Sequence, residues 1–294
     1  VPAPIPSTGC VRNWLGSLVR MGGIEFLKGH GTQNDFVVLP DAAGALDLTA
    51  GRVAALCDRQ RGLGADGVLR VVRPEAVGVD SAAGWFMDYR NSDGSLAEMC
   101  GNGVRVFARY LVEAGLEGRR EFTVGTRAGD RPVRVHDDLS VTVRMGRAAV
   151  TGTSVAVVGD RALSGVAVDV GNPHLVAVLE EDVTDLDLRE QPRYDDGIFP
   201  DGVNLEFLNV LAPERLRMRV HERGVGETRA CGTGTVAAVA AVSHLRGAEK
   251  GEADVAVPGG TVHVTVDRDG STLSGPAVFV ARGELDSVWW DATA

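Results

Sequence analysis

Lysine and cysteine are both scarce in this chain, which holds two lysines, Lys28 and Lys250, and four cysteines, Cys10, Cys57, Cys100 and Cys231. No two cysteines form C-x-x-C, and no Cys/His cluster has zinc spacing, so no metal site is expected. So few cysteines in so long a chain do not make a disulfide scaffold, and a reducing, cytoplasmic location fits them best. Runs of Lys or Arg are missing and the net charge is −10, which argues against a nucleic-acid binder. No stretch approaches the ~18–20 apolar residues of a membrane span. The first twenty residues lack the continuous apolar core of a secretory signal. Met21 precedes a clean strand, Ile24 to Leu27, so the expectation is that Met21 is the natural start and residues 1–20 are an upstream tail.

What is present is an ordinary globular balance, 44% hydrophobic and 24% charged, with 38 glycines available for tight turns or backbone-lined sites. Short runs rich in Val, Ile and Phe dominate: Phe36–Leu39, Val68–Val72, Trp85–Tyr89, Val166–Val170, Leu175–Leu179, Val203–Leu208 and Val262–Val266. Each is strand-length and ends near Gly, Pro, Asn or Asp. Leu216–Val220 alternates and reads as a half-buried antiparallel strand. Helices are fewer. Thr49 can cap one through Asp58, with Val53, Leu56 and Cys57 facing inward. A second is expected from about Gly103 to Glu113, stopping at Gly115. A third, from about Gly234 to Leu245, is apolar nearly all round and should be buried. Many strands, few helices and no regular βαβ rhythm predict an α+β fold.

The main organisational signal is an internal repeat. One segment reads RNSDGSLAEMCGNGVRVFA and the other HERGVGETRACGTGTVAAVA. Both place C-G-x-G at the start of a helix, with Asn91 and Glu222 at the same offset before Cys100 and Cys231. Two such units half a chain apart predict two pseudo-symmetric lobes with a cleft between them. The first is expected to span residues 21–146 and the second 147–276, divided at the polar stretch Arg147–Ser154. The strand Ala277–Ala281 is the candidate to return residues 277–294 to the first lobe.

C-G-x-G at a helix start has specific chemistry. The glycines allow close backbone approach, and the helix end presents unpaired N–H groups with a partial positive charge. That suits a carboxylate, and the same field should lower the cysteine pKa toward neutrality. Two such units facing one pocket would hold one carboxylate between two helix ends, with a sulfur on each face of the adjacent carbon. A thiolate on one face removes the α-proton while a thiol on the other delivers one, which inverts the centre. The α-hydrogen of an amino acid is a very weak acid, and pyridoxal phosphate held by a lysine is the usual electron sink. Lys250 sits in the charged segment Glu249–Glu252 and reads as a solvated loop residue. Lys28 ends a strand before a loop and is a weak candidate. Helix-end N–H groups in a site closed to water would instead stabilise the growing charge, with no cofactor.

The segments KGHGTQNDFVVL, RNSDGSLAEMCGNG, Gly171-Asn-Pro-His174, Asn204-Leu-Glu-Phe207 and ERGVGETRACGTG together resemble the diaminopimelate epimerase family over nearly all of residues 24–290. The resemblance implies two lobes, each a mostly antiparallel or mixed curved sheet around a central helix. It implies interconversion of LL-2,6-diaminopimelate and its meso isomer, serving lysine and cell-wall synthesis. Cys100 and Cys231 would be the acid/base pair. Gly101, Asn102, Gly232 and Thr233 would hold the reacting carboxylate, mainly through backbone N–H. Asn34, Asn91, Asn172, Asn204 and Arg223 would read the substrate's polar groups, and Glu222 and His174 would bind or tune protons near the cysteines. The implied partner is a small amino-acid substrate, with no nucleic acid and no membrane; a homodimer is implied by the resemblance alone. Some family members carry Gln near the Gly62–Gly67 segment. Gly67 occupies that place here, so no substrate contact is assigned to it.

Plainer readings stand beside these. Cys57 reads as a small buried hydrophobe, and Cys10 falls in the expected tail. Asn91, in Asn-Ser-Asp-Gly, is taken alone a turn residue, and Asp66 and Asp93 read as loop or capping residues. His174 also fits a satisfied structural histidine. Gly224–Gly234 follows a strand, but its glycine spacing is wrong for a dinucleotide loop. Two functional alternatives remain open: a relative of the same fold acting on proline-like amino acids, and a redox sensor whose cysteine pair forms a disulfide.

Overall fold

The computed structural model describes residues 23–293. The expected tail 1–20, the start at Met21 and Cys10 lie outside the described residues. The architecture is mixed α+β, with two sheets and four α-helices among the described residues.

The first sheet is built from β1 (Ile24–Gly31), β2 (Asn34–Pro40), β3 (Gly67–Val72) and β4 (Phe86–Asn91), with β17 (Val278–Leu285) on its outer edge against β1. After β4 come α2 (Gly101–Glu113) and then β5 (Glu121–Val124), β6 (Arg131–Val135) and β7 (Val141–Gly146). The same plan recurs. β8 (Ala149–Val158), β9 (Arg161–Asp169), β10 (Pro173–Val178), β11 (Asn204–Ala212) and β12 (Arg215–Glu222) are followed by α3 (Gly232–Leu245). β14 (Gly251–Val257), β15 (Gly260–Val266) and β16 (Ser271–Gly275) complete it, and short β13 (Gly226–Thr228) pairs with β12.

Pairing shows the repeat directly. β1–β2 is antiparallel, β2–β3 parallel and β3–β4 antiparallel. β9–β10, β10–β11 and β11–β12 repeat that sequence of directions. β17 flanks β1 as β8 flanks β9. The two halves are joined through backbone as well as side chains, because β16 pairs with β7 and makes one continuous twelve-stranded sheet.

Periodicity explains where the core lies. α2 buries Val104, Phe107, Ala108 and Leu111 on one stripe, and α3 buries nearly every residue from Thr235 to Val242. Both helices share a single apolar core with the inner faces of the strands. α1 (Ala50–Cys57) starts where Thr49 accepts from the Arg52 amide at 3.2 Å, and covers the outer face of the first sheet with Val53, Leu56 and Cys57. There burial pushes the Cys57 thiol up to about 12.

Local expectations differ from the structure at four places. α2 and α3 each begin two residues earlier than periodicity suggests, at Gly101 and Gly232, because a cysteine sulfur caps each. Lys28 lies inside β1 and not at its end, ion-paired to Asp35 at 2.5 Å and bonded to the Gly64 carbonyl. A fourth helix, α4 (Ser287–Ala292), is capped by Asp286 and seats Trp290 under the Arg52 guanidinium, 4.9 Å from the ring centre. It is too short to show periodicity.

Candidate active site

Cys100 and Cys231 are the N-caps of α2 and α3. Each has extended backbone and turns its sulfur back over the first helical turn. Cys100 Sγ accepts from the Gly103 amide at 3.5 Å, and Cys231 Sγ from the Gly234 amide at 3.4 Å. A thiolate at either position would be bonded by a helix-end donor inside the positive end of the helix dipole.

The two helix starts touch. A Cβ built on Gly232 would lie 3.4 Å from the Gly101 Cα and 3.7 Å from the Asn102 nitrogen, with Leu273 beneath both glycines. The approach therefore depends on residues without side chains. Asn102 clips the lobes together: its amide donates to the Ala230 carbonyl and to Asn34 Oδ1, both at 3.2 Å. Arg105, fully buried one turn later, donates to Asn102 Oδ1 at 2.9 Å, to Thr32 Oγ1 at 3.1 Å and to the Pro276 carbonyl at 3.2 Å.

Around Cys100, Asn34 opens β2 after a two-residue turn in which Thr32 and Gln33 both have positive φ, 50° and 62°. Non-glycine residues hold such a conformation only where surrounding contacts enforce it. Here Arg105 grips Thr32 and Arg229 of the second lobe bonds Gln33. Asn34 Oδ1 lies 3.5 Å from Cys100 Sγ, and its amide donates to Asp66 at 2.8 Å. Asp66, read as a loop residue, is thus an anchor for Asn34. Asn91 bonds Ser95 at 3.0 Å and closes the turn after β4, and Asp93 also bonds Ser95. At Gly67 a Cβ would meet the Arg90 carbonyl at 2.5 Å and the Tyr89 ring at 2.7 Å. No longer side chain has room there.

Around Cys231, Thr233 Oγ1 is 3.4 Å from the sulfur. Glu222 ends β12, bonded by the Thr228 hydroxyl. Asn204 opens β11 and accepts from the Arg223 amide at 2.9 Å. The exposed Arg223 side chain folds back on the Asp201 carbonyl at 2.9 Å and has no carboxylate partner among the described residues. His174 is fully buried, 2.7 Å from Glu206 Oε1 and 3.0 Å from Asn172 Oδ1. Neither contact is with a cysteine.

The electrostatics correct one expectation. The thiols are not lowered toward neutrality. Burial pushes Cys100 up to about 11, with Glu222 adding to the effect, and the Gly103 amide and Arg105 offset only part. Cys231 is also raised well above its ordinary value, by burial and then by Glu222 and Glu206. Removing water from a thiolate outweighs one or two helix-end donors. Burial also raises the Glu222 carboxyl, against the lowering effect of Thr228 and Cys231. Glu222 thus acts on both sulfurs.

Two residues escaped the sequence reading. Glu206 is a charged residue within the apolar run Val203–Leu208, and Arg105 a charge beside the apolar stripe of α2; each anomaly was the available signal. Among the described residues no cluster of His, Cys, Asp and Glu is arranged to hold a metal, and no helix is long and apolar enough to cross a membrane.

Solved structures share this architecture. A phenazine biosynthesis protein of the PhzF family from Bacillus anthracis aligns with a TM-score of 0.68 at 18% identity, over 90% of this chain and 100% of its own. A probable proline racemase from Agrobacterium radiobacter aligns at 0.64 and 14%, over 90% and 93%. The fold is that of a two-lobed class containing racemases and epimerases, and the paired cysteine-capped helices are the feature on which two-sided proton chemistry can be built. Sequence narrows the class. The diaminopimelate epimerase family model matches residues 26–151 and 166–284. Diaminopimelate epimerases of Mycolicibacterium smegmatis and Rhodococcus jostii are 56% and 54% identical, each over 92% of this chain and 99% and 100% of their own length. The chain belongs to the diaminopimelate epimerase family and is an isomerase.

Proposed function

We propose that the protein interconverts LL-2,6-diaminopimelate and meso-diaminopimelate by a two-base mechanism, with one thiolate and one thiol drawn from Cys100 and Cys231. The observation that carries this reading is the contact between two helix starts, each capped by a cysteine sulfur. The reacting carboxylate binds the N–H groups of Gly101, Asn102, Gly232 and Thr233. Its α-carbon then lies between the sulfurs. One thiolate takes the α-proton, negative charge grows on the carboxylate held at two helix ends, and the opposite thiol delivers its proton. Because both thiols are raised, the resting pair is protonated at neutral pH. Glu222, whose charge bears on both sulfurs, accepts the first proton in this reading. Asn34, Asn91, Asn172, Asn204 and Arg223 read the substrate's polar groups, the guanidinium of Arg223 taking the distal carboxylate. His174 supports the proton transfer.

No cofactor takes part in this scheme, and a disulfide would remove both bases. The reaction therefore belongs in a reducing compartment such as the cytoplasm. The partner is the amino-acid substrate, and a homodimer remains part of the proposal from family likeness. The test is incubation of reduced protein with LL-diaminopimelate in D₂O without pyridoxal phosphate. Deuterium at the α-carbon with meso product supports the reading; a folded, reduced sample that exchanges nothing removes it.

A further inference from the structure

The β11 strand carries a carboxylate that the two-base scheme does not use. Glu206 is completely buried, and so are its strand neighbours Leu205 and Phe207. Its Oε1 lies 2.7 Å from His174 Nδ1, and its Oε2 is buried with no hydrogen-bond partner. On the far side of the imidazole, Nε2 lies 3.0 Å from Asn172 Oδ1. His174 is itself fully enclosed. The carboxylate is pressed against the first turn of α3, where a Cβ on Gly234 would stand 2.6 Å from Oε1. Gly234 is also the residue whose amide bonds the Cys231 sulfur.

A buried carboxylate without a positive partner is strongly disfavoured. Among the described residues His174 is the one side chain able to carry positive charge within hydrogen-bond distance of Glu206, and the α3 N-terminus adds a partial positive charge. With Glu206 Oε1 at Nδ1 and Asn172 Oδ1 at Nε2, both ring nitrogens of His174 are bonded when the ring carries two protons, whereas an Asn172 amide turned to donate would need only one. The doubly protonated ring has no lone pair to accept a proton from a thiol.

We propose that Glu206 is a positioning residue for the reaction: it holds His174 as a doubly protonated imidazolium, which serves as fixed charge beside Glu222 and not as a proton acceptor for the cysteines. This rests on the two-base reading of the site and deepens it, because Glu222 is left as the group that exchanges protons with the sulfurs. The other groups facing His174 and Glu206 are Glu222 and Cys231, which act electrostatically with them, and the neutral Asn172.

The experiment has two readouts. In ¹⁵N-labelled wild-type protein, imidazole nitrogen shifts are followed from pH 6 to 9, with the His174 signals identified by their loss in His174→Gln. Two protonated nitrogens across that range are expected. A singly protonated ring, with Nε2 accepting from the Asn172 amide, overturns the proposal. This readout needs no turnover, so it stands even if diaminopimelate proves not to be the substrate. The second readout is Glu206→Gln, which keeps shape and an acceptor but removes the charge. We expect the ring to become neutral by pH 8 and kcat to fall about tenfold or more, with KM within about twofold. Unchanged kcat, or a change confined to KM, overturns the positioning role. Should that variant fold poorly, the wild-type spectrum still decides.

Discussion

The Asn102 amide donates across the cleft to the carbonyl of Ala230 at 3.2 Å, and Ala230 immediately precedes Cys231. The first turn of α2 is therefore tied to the residue that precedes the cap of α3. Asn102→Ala removes that bond and leaves the buried Arg105 guanidinium short of an acceptor. A buried donor left unsatisfied costs about 1–3 kcal/mol. Urea unfolding should show a loss of that order, and α-deuterium exchange should slow more than tenfold. Wild-type values in both would remove Asn102 from the lobe contact.

Replacing Cys100 or Cys231 with Ser should leave the fold intact while cutting turnover by orders of magnitude, since a hydroxyl is a far poorer base than a thiolate. Circular dichroism and steady-state kinetics together check this. Near-normal epimerisation by either variant would falsify the two-thiol mechanism.

Stability should fall in alkali. Burial pushes Cys100 up to about 11 and Cys57 up to about 12, against an ordinary value of 9.0, and Cys231 is raised as well. A raised group favours the folded state below its unfolded pKa, and that advantage is lost as pH climbs through the folded one. The unfolded chain therefore ionises from about pH 9 while the folded chain does not. The full loss, reached above pH 11, amounts to roughly 2–3 kcal/mol for Cys100 alone, of which about two thirds falls below pH 10.5. Urea midpoints at pH 8 and 10.5 should differ accordingly, and Cys57→Ala should shrink the difference. A flat profile to pH 10.5 would contradict the burial of these thiols.

Gly232→Ala places a methyl 3.2 Å from Leu273 and 3.4 Å from the Gly101 Cα. Overpacking of this kind costs about 1–3 kcal/mol, and here it also pushes the helix ends apart. The expected signature is a drop in kcat exceeding the effect of the same change at Gly247, where nothing lies within 4 Å. Equal effects at the two positions would show that the helix contact does not set the rate. Gly247 has a φ of 68°, so its substitution is strained as well and controls for backbone cost.

Much of this protein follows from local chemistry in the chain. Strand runs such as Val68–Val72 and Leu216–Val220, the Thr49 cap and the buried character of α3 are short-range consequences of side-chain periodicity. The repeated C-G-x-G, with Asn91 and Glu222 at matching offsets, located both cysteines because helix capping involves neighbours in sequence. Other features depend on residues distant in sequence. The β16–β7 pairing that fuses two lobes into one sheet, the Asn102–Ala230 clasp and the Arg105–Thr32 grip on a strained turn have no local signature. The direction of the thiol shifts belongs here too. A helix end predicts a lowered cysteine from the motif alone, whereas burial and the charge of Glu222 are set by everything folded around it. Desolvation is a property of the whole enclosure, which is why only the tertiary structure decided it.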